Sequence, residues 1–577
     1  MVAMRVITQL RAHALASPVA PLLAATLLAG CLFDPAECTR ERLASGSCAG
    51  DVSYAPPTGP WFEDVTVPAG LAFERAPVEG YVTMVDRVSG GVCVLDVDGR
   101  PPLDLFFAVR PATDSGSRLF VARGVRDYVE ETASRGLSDT GDAVGCLAFD
   151  AEGDGDDDLL VTGLSTLHLF LNDGGVFADH TVLLDASPAS GAVYASAAAG
   201  DIDGDRDLDL LVAGFLDIAA LRTDRDCGGL PCEMRLDSYR GVENLLLRRE
   251  SDGRYTEVSS ELAPELALRE PTLMVAISDI DADGRPDLYV GNDGGSVFRD
   301  RVLVADAAGI FRDASDRVGL AYDARGHGID TMGWSTGDVN GDGRMDYAVT
   351  AFQGHASPVF VCGQDGYCDD RGPAVGTRAL ASTFRWGNAL ADIDLDGDVD
   401  LFEAAGHVFT EAEAAGIGLS IRHAQPPNLS VNSGDGELLR VQAEAGDALA
   451  QPHCGRGLAT ADLDDDGRPD VIIATTQGPP AVLRNVHSPA GGFVRVVLRG
   501  RSPNSAGVGA RVEVTDGSRT LVRERTVGEG FLGSFDPRLH FGIGGADSVD
   551  VKVTWPGGAI SIVERIAVGE EIVVDEP

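Results

Sequence analysis

The chain has 577 residues and a formal net charge of −44 at pH 7. That length is sufficient for more than one domain. The excess of carboxylates argues against nucleic acid or an anionic membrane surface as the partner. With 71 glycines, 29 prolines and short apolar runs, the composition predicts a mostly β protein.

Residues 1–30 begin with a basic stretch and continue as an apolar run. This is typical of a secretory signal, and the run is too short and too interrupted by proline for a membrane span. It ends in Leu28-Ala29-Gly30-Cys31, which resembles the lipobox of bacterial lipoproteins. The resemblance implies cleavage before Cys31 and lipidation of that residue, so we expect an extracytoplasmic lipoprotein anchored at the outer membrane or cell surface. A signal peptide with a chance cysteine is the alternative, and residues 31–60 are interpreted as a tether.

The remaining nine cysteines fit an oxidising compartment. Three local pairs are disulfide candidates: Cys38 with Cys48, Cys227 with Cys232, and Cys362 with Cys368. Cys93 and Cys146 each precede an acidic loop, so they are either buried thiols or a bridge between two repeats. Cys454 has no obvious partner.

One acidic loop recurs seven times, with first residues Asp96, Asp150, Asp201, Asp279, Asp338, Asp392 and Asp462. We number the loops 1 to 7 in this order and the residues of each loop from position 1. Acidic or amide side chains at positions 1, 3, 5 and 9, with a glycine at position 6, can wrap a hard cation such as Ca²⁺. An apolar, strand-like run follows each loop, so the loops are predicted to join two strands and not the helices of an EF-hand.

The predicted cofactor is Ca²⁺, at about six sites. The predicted ligands are Asp150, Glu152, Asp154 and Asp158; Asp201, Asp203, Asp205 and Asp209; Asp279, Asp281, Asp283 and Asp287; Asp338, Asn340, Asp342 and Asp346; Asp392, Asp394, Asp396 and Asp400; and Asp462, Asp464, Asp466 and Asp470. Loop 1, with Asp96, Asp98 and Asp104, has Arg100 at position 5 and is expected to bind metal weakly. Loop 3 has Arg206 where glycine is expected.

Each repeat offers four short strands, two around the acidic loop and two around a glycine turn, as in Leu167–Leu171 followed by Gly174 and Phe177. Such units predict propeller blades, because one blade cannot bury both of its faces alone. A solenoid is the alternative. Residues 61–67 resemble the last strand of a blade and are predicted to complete the blade of loop 7. Insertions are expected near residues 222–240 and 408–430, on a face where partners bind.

From about Gly492 the pattern becomes a set of short alternating segments between glycine turns. The predicted strands of this small β-sandwich are Phe493–Leu498, Gly509–Val514, Arg519–Val527, Leu539–Phe541, Val549–Trp555 and Ile560–Val563. The fold class is therefore predicted to be all-β, a seven-bladed propeller at residues 61–487 followed by a β domain at residues 488–577.

Several motifs resemble the FG-GAP/VCBS repeats of the cartilage acidic protein-like family. They include Trp386-Gly387-Asn388 through Asp392, and Gly455-Arg456-Gly457 through Asp470. The end of the chain is similar to the ASPIC/UnbV domain, in Asn504–Ala510, in Gly528–Leu532 and in Trp555-Pro556-Gly557-Gly558. The resemblance implies a calcium-binding propeller capped by a β module, extracellular and concerned with binding or adhesion, without a settled catalytic activity.

We therefore expect a non-enzymatic surface scaffold that binds an unknown protein or glycan and meets the membrane through its lipid anchor only. Two alternatives stay open: a calcium-dependent polysaccharide-acting enzyme such as a propeller lyase, and an architectural envelope or assembly factor. Paired carboxylates could also act as acid and base on a glycoside. Histidines at His327, His355, His407 and His453 could hold a transition metal if they converge.

Overall fold

In a computed structural model of the protein, the described residues are 59–75, 84–110, 116–186, 188–220, 240–295, 297–416, 418, 420–434, 436–441, 443, 446–488 and 491–577. The signal segment, Cys31, nearly all of the tether and the pairs Cys38–Cys48 and Cys227–Cys232 lie outside these residues, so the corresponding expectations stay predictions.

Strands dominate the described chain, because β-branched and apolar residues recur in short runs between glycine turns. The strands of the repeats are β1 (Phe62–Asp64), β2 (Gly91–Leu95), β3 (Asp104–Ala108), β4 (Arg118–Gly124), β5 (Asp127–Glu130), β6 (Ala143–Phe149), β7 (Asp158–Gly163), β8 (Thr166–Asp173), β9 (Val176–Asp179), β10 (Ala192–Gly200), β11 (Asp209–Asp217), β12 (Leu245–Arg249), β13 (Tyr255–Glu257), β14 (Thr272–Ser278), β15 (Asp287–Asn292), β16 (Arg301–Ala305), β17 (Phe311–Asp313), β18 (Trp334–Gly337), β19 (Asp346–Val349), β20 (Val359–Cys362), β21 (Cys368–Asp370), β22 (Arg385–Ala391), β23 (Asp400–Ala405), β24 (Asn428–Asn432), β25 (Leu438–Arg440), β26 (Gly455–Ala461), β27 (Asp470–Thr475) and β28 (Ala481–Asn485). Five short helices lie between them: α1 (Met84–Val88), α2 (Ser259–Leu262), α3 (Ser315–Val318), α4 (Gly372–Val375) and α5 (Glu411–Gly416).

These strands form seven four-stranded antiparallel sheets within the described part of the chain. Six of them take four consecutive strands, from β2–β5 to β22–β25, and the seventh has the order β1-β28-β27-β26. The first strands follow one another in a ring, in which β26 contacts β2 and β2 contacts β6. Between the fourth and fifth sheets the ring of Tyr289 packs 4.1 Å from that of Trp334. The architecture is a closed β-propeller, as predicted, and not a solenoid.

The ring is closed by a strand from the start of the described chain. Phe62 of β1 pairs with Asn485 of β28, and Asp64 pairs with Leu483. Phe62 is fully buried and its ring lies 5.7 Å from that of Phe402 in the neighbouring blade. The predicted completion of the last blade by residues 61–67 is therefore confirmed in its pairing, and it ties residues about 420 positions apart in sequence, which makes the ring a long-range closure.

The C-terminal strands form two sheets packed around one apolar core that includes Val496, Val512 and Trp555. They are β29 (Gly492–Arg499), β30 (Arg511–Thr515), β31 (Thr520–Glu524), β32 (Leu539–Gly544), β33 (Ser548–Thr554), β34 (Ile560–Ala567) and β35 (Glu570–Asp575). The sheet orders are β32-β29-β35 and β31-β30-β33-β34. The predicted β-sandwich is present. It contains a strand that the sequence did not reveal, β35, which pairs in parallel with β29.

Residues 525–527 were predicted to continue a strand, and this is wrong. After β31 the chain leaves the sandwich and enters the centre of the propeller, where residues 526–536 form what we call the central segment. Bridges join Gly530 to Trp334, Phe531 to Leu458, and Ser534 to Cys93. Phe531 is fully buried in the core shared by several blades. Gly528 and Gly530 allow the chain to turn along this path, since they have positive φ values of 102° and 77°.

Two disulfides are present among the described residues. The bond between Cys362 and Cys368 confirms the predicted local pair and joins β20 to β21. Cys93 is bonded to Cys146, so of the two possibilities left by the sequence the bridge between repeats is the one observed, and it links β2 to β6. Cys454 is a buried free thiol.

Candidate metal centres

All seven acidic loops connect the first and second strands of a blade, so they lie on one face of the propeller. In an antiparallel sheet the connections between the second and third strands lie at the opposite end. The two predicted insertions, between β11 and β12 and between β23 and β24, therefore leave from the face opposite the loops. Residues 221–239 lie outside the described part of the chain, and the other insertion contains α5.

Two backbone hydrogen bonds shape each of loops 2 to 7. The amide of position 6 donates to the carboxylate of position 1, for example Gly397 to Asp392 at 2.8 Å. The amide of position 2 donates to the carboxylate of position 9, for example Ile393 to Asp400 at 2.8 Å. The first bond requires a left-handed residue at position 6, where Gly397 has φ 97°. Arg206 takes the same conformation with φ 78°, so loop 3 keeps the shape despite lacking glycine.

The aspartate at position 9 has a structural role that the sequence did not reveal. In every loop but loop 4 its second oxygen accepts the amide of a residue in or near the third strand of the same blade, as Asp400 does from Asn432 at 2.8 Å. In three blades the residue that donates this amide is an asparagine whose side chain reaches position 2 of the preceding blade's loop: Asn172 to Val97, Asn432 to Val339 and Asn485 to Ile393. The recurring asparagine at the end of the third strand was the available sequence signal. It couples loops 1, 5 and 6 to the next blade.

Burial makes these carboxyls reluctant to ionise when no cation is bound. Desolvation raises the pKa of Asp158, Asp209 and Asp287 to about 8. It raises that of Asp104 and Asp346 to about 7, and that of Asp400 and Asp470 well above the ordinary range. Neighbouring carboxylates add to the effect in every loop. A divalent ion would remove this penalty by binding the ionised forms.

The loops differ in how far they bring the predicted ligands together. Five groups of three carboxylates have oxygens within 4.8 Å of one another: Asp96, Asp98 and Asp104; Asp201, Asp203 and Asp209; Asp279, Asp281 and Asp287; Asp392, Asp394 and Asp400; Asp462, Asp464 and Asp466. The acids of loop 2 and loop 5 do not form such a group. In loop 5 the Asn340 amide instead hydrogen-bonds Asp342 at 3.3 Å.

Loop 6 is the best-formed candidate. Asp392, Asp394 and Asp400 are 3%, 5% and 0% exposed. Within the described chain none of these carboxylates pairs with an arginine, a lysine or a histidine. One buried oxygen, Oδ1 of Asp394, has no hydrogen-bond partner. Burial, and then the charge of Asp396, raises the pKa of Asp394 to about 6. An unpartnered, buried carboxylate oxygen aimed at two others fits a hard cation.

Loop 4 also fits a cation, because Asp279, Asp281 and Asp287 each have a buried oxygen without a hydrogen-bond partner. Arg317 nevertheless pairs with Asp281 at 2.9 Å. Asp287, at position 9 of loop 4, is the aspartate that lacks the hydrogen bond from the third strand of its blade. One carboxylate oxygen of each of the three acids lies within 4.8 Å of the others, so the group is compact enough for a hard cation.

Loops 7 and 1 are partly neutralised by arginine. In loop 7, Arg484 pairs with Asp464 at 2.5 Å and with Asp466 at 2.9 Å, and Arg495 pairs with Asp462 at 2.7 Å. In loop 1, Arg135 lies 3.4 Å from Asp98. Loop 1 thus converges better than expected, but a guanidinium already supplies part of the positive charge that a metal would bring.

The proposed transition-metal site is not formed. Among the residues that the structure describes, the side-chain groups compact enough for a metal contain carboxylates only. His407 accepts the amide of Phe409 at 3.0 Å and packs against Phe384. His327 lies on an exposed turn beside Asp323. These are turn and core histidines, which is the more common role of such residues.

Sequence comparison supports the same class of protein. Residues 150–212 match the FG-GAP-like repeat, and residues 500–577 match ASPIC and UnbV. Together with the closed ring of four-stranded sheets, the matches define an FG-GAP-repeat β-propeller that carries a C-terminal ASPIC/UnbV domain.

The chain is homologous to cartilage acidic protein 1. It is 25% identical to the Mus musculus protein over 320 residues, which is 52% of this chain and 47% of that protein. It is 26% identical to the Homo sapiens protein over 315 residues, covering 52% of this chain and 45% of that protein. The chain thus spans about half the length of the curated relatives that it matches.

Two solved structures illustrate the structural likeness, and both are remote. One is an Agrocybe aegerita lectin that recognises non-reducing terminal N-acetylglucosamine, at 15% identity and a TM-score of 0.36, covering 63% of this chain and 83% of the lectin. Another is the rhamnogalacturonan lyase YesW, at 13% identity and a TM-score of 0.35, covering 70% of this chain and 72% of the lyase. Scores this low carry no functional argument.

The disulfides and FG-GAP repeats indicate an extracellular protein. No helix in the described ranges has the length and hydrophobicity needed to cross a membrane.

Proposed function

We propose that this chain is a calcium-stabilised binding scaffold outside the cytoplasm, held at a membrane by lipidation of Cys31. The observation that carries the calcium assignment is the set of buried, unpartnered carboxylate oxygens in loops 4 and 6. Carboxylate and carbonyl oxygens are the ligands that Ca²⁺ prefers, and six to eight of them are needed. Asp392, Asp394 and Asp400 would hold the ion in loop 6, with Asp396 and a backbone carbonyl completing the wrap.

The bound ion would act as a structural clamp. It supplies two positive charges where three carboxylates meet, and every loop except loop 4 is tied to a third strand through position 9. Three of the loops are further tied to the next blade through an asparagine. Stabilising one loop therefore stabilises two blades, and a closed ring spreads that effect around the propeller. A rigid ring of this kind presents its faces as fixed surfaces for a protein or glycan partner.

The face opposite the acidic loops is the proposed binding face, because the sandwich contacts the loop side and both insertions leave from the other side. Conserving a fixed scaffold while varying long connections is a common way to build binding surfaces. The alternative function, a polysaccharide-acting enzyme, receives less support. Arginines near the mouth of that face, Arg75, Arg87 and Arg456, are at most 7% exposed and donate to main-chain carbonyls. They hold the ring together and are not presented to a substrate.

Calcium dependence is tested on residues 59–577 by titration calorimetry after EDTA treatment, with Mg²⁺ at the same concentration as control. We expect more than one equivalent of calcium to bind and the melting temperature to rise well beyond the effect of Mg²⁺ or of salt at equal ionic strength. A melting temperature that is the same in calcium and in EDTA would remove the calcium assignment.

The binding role is tested by crosslinking on intact calcium-replete cells, with crosslinked peptides identified by mass spectrometry. Partner crosslinks should map to the β11–β12 and β23–β24 connections and be absent in a chain lacking residues 222–239 and 411–418. Partner crosslinks confined to the sandwich would contradict the assignment of the binding face.

A further inference from the structure

The C-terminal sandwich rests on the acidic loops themselves. Side chains of the sandwich contact five loops: Ser505 donates to Asp150, Glu576 accepts from Arg206, and Arg511, Arg519 and Arg495 reach loops 5, 6 and 7. Glu524 adds a contact to loop 4, where it accepts the amide of Asp279 at 3.3 Å. The surface on which the sandwich docks is therefore made of the candidate metal loops.

At loop 6 the sandwich binds backbone carbonyl groups, so its contacts depend on the conformation of the loop. Gly544 donates its amide to the carbonyl of Leu395 at 3.2 Å. Arg519 donates to the carbonyl of Asp396 at 2.5 Å and lies 3.4 Å from the carboxylate of Asp398. These carbonyls face the sandwich because Leu395 has φ 60° and Gly397 has φ 97°. Both sandwich residues thus depend on a left-handed turn that encloses the three converging carboxylates.

The sandwich also closes over the carboxylates of loop 6. Gly542 of β32 packs against Asp392 so closely that a methyl group on its α-carbon would lie 1.9 Å from Asp392 Oδ2. Arg519 of the sandwich approaches Asp396 and Asp398, and Arg523 acts on Asp392 at longer range, but neither makes an ion pair with Asp392, Asp394 or Asp400. Loop 7 differs, because there Arg495 of the sandwich pairs directly with Asp462. The docked sandwich therefore pairs directly with a converging carboxylate in loop 7 but not in loop 6.

We propose that calcium bound in loop 6 latches the adjacent end of the sandwich, the β30–β31 turn and β32, onto the propeller. This inference rests on the proposed calcium binding and adds its consequence for the second domain. With the ion bound, the carboxylates are held together and the carbonyls of Leu395 and Asp396 keep their direction. Without it, three carboxyl groups with oxygens within 4.8 Å of one another must either repel or take up protons, nothing bridges them, and the turn loosens so that the bonds from Gly544 and Arg519 are lost.

The loosening is local. The central segment stays in the ring, because Phe531 and Leu532 are 0% and 1% exposed and their extraction would expose a large apolar surface. The Arg495 contact at loop 7 needs no metal. Calcium removal should thus free the β32 end of the sandwich while the central segment and the sandwich core remain in place.

The test is hydrogen exchange by mass spectrometry on the full chain, in calcium and after EDTA, with calorimetry on the same sample. We expect exchange in residues 516–522 and 539–545 to become at least about tenfold faster in EDTA, while residues 528–534 and 549–554 change little. Exchange unchanged at 516–522 and 539–545 despite measured calcium binding would overturn the latch but leave the proposed function standing. Failure of calorimetry to detect calcium would overturn both.

Variants separate the latch from general stability. In calcium, Gly542→Ala should expose residues 539–545 to exchange as EDTA does, since its methyl group meets the Asp392 carboxylate. Gly545→Ala is the matched control, because nothing lies within 4 Å of its added methyl group. Arg519→Ala, which removes a partly buried side chain that contacts loop 6, should also mimic EDTA in calcium, and Arg499→Ala, at an exposed position away from the loop, should not. An Arg519→Ala protein that exchanges like wild type in calcium would refute the latch.

Discussion

Replacing Asp394 with asparagine separates the cost of a buried charge from its use as a ligand. Asp394 is 5% exposed, its Oδ1 has no partner, and burial raises its pKa to about 6. Relative to the ordinary pKa of 3.8, keeping this carboxylate ionised in the folded, metal-free protein costs about 3 kcal/mol at neutral pH, at about 1.36 kcal/mol per pKa unit. Asp394→Asn removes that charge while keeping the shape of the side chain.

In EDTA, Asp394→Asn should therefore be as stable as wild type or more stable, by up to about 3 kcal/mol. In calcium the order should reverse. If the lost carboxylate weakens calcium binding at loop 6 by about 100-fold, the stabilisation by saturating calcium falls by about 2.7 kcal/mol. The effect of the substitution thus changes sign with the metal, which simple damage to the fold would not produce.

The assay is urea unfolding of wild type and variant, each in EDTA and in millimolar calcium. Asp127→Asn serves as the control, because it removes one carboxylate from an exposed position of blade 1 that lies outside the loops. The control should shift both curves little and equally. An Asp394→Asn protein that is less stable than wild type in EDTA, with an unchanged response to calcium, would refute the assignment of loop 6 as a metal site.

Three further predictions test the ring and its core. Phe531→Ala should cost about 3–5 kcal/mol in urea unfolding, since the ring is fully buried at the centre of the propeller, and a loss below about 1 kcal/mol would contradict that role. Arg456→Met should cost about 3 kcal/mol, because it removes the buried guanidinium that donates to the carbonyls of Arg87, Gly406 and Gly455; Arg499→Met, on the surface, should be close to neutral. Asp300 is buried and accepts hydrogen bonds from Tyr289, Thr331 and the Asn292 amide, and desolvation raises its pKa to about 7. The folded state thus keeps a proton that the unfolded chain releases near pH 4, so this group makes stability fall between about pH 4 and 7 and has no further effect above pH 7. In saturating calcium, the melting temperature of Asp300→Asn should therefore fall less steeply than that of wild type over this pH range. An unchanged slope would refute the assignment of a raised pKa to Asp300.

The sequence was sufficient for features whose determinants lie close together in the chain. The acidic loop is determined by nine consecutive residues, including the left-handed residue at position 6. The loops and the strands around them were therefore predictable. The closing strand was predictable for a related reason, since Phe62 sits in a strand-like segment without a hairpin partner while the last repeat lacks one strand.

Long-range contacts were not predictable from these patterns. Gly528 to Leu532 matched a family motif, yet nothing local indicates that the segment enters the ring. There the Leu532 amide donates to Ser196, which lies 336 positions away in sequence. The same limit applies to metal occupancy. Loop 7 fits the ligand template as well as loop 6 does, but arginines from outside the loop, among them Arg126 and Arg495, reach its carboxylates only in the folded protein.

The contrast between loops 6 and 7 shows how one repeated motif can take two roles. In both loops the carboxylates are buried beneath the sandwich, and each must be compensated by a positive charge or stay protonated. Loop 7 receives guanidinium groups from its own blade, from the first blade and from the sandwich, so its compensation is fixed by folding. In loop 6, Arg519 and Arg523 of the sandwich lie nearby, but no basic side chain of the described residues makes an ion pair with Asp392, Asp394 or Asp400, so the proposed calcium ion would complete their compensation. A permanent contact at one loop and an ion-dependent contact at the next would let the sandwich stay joined to the propeller while one end of it responds to calcium.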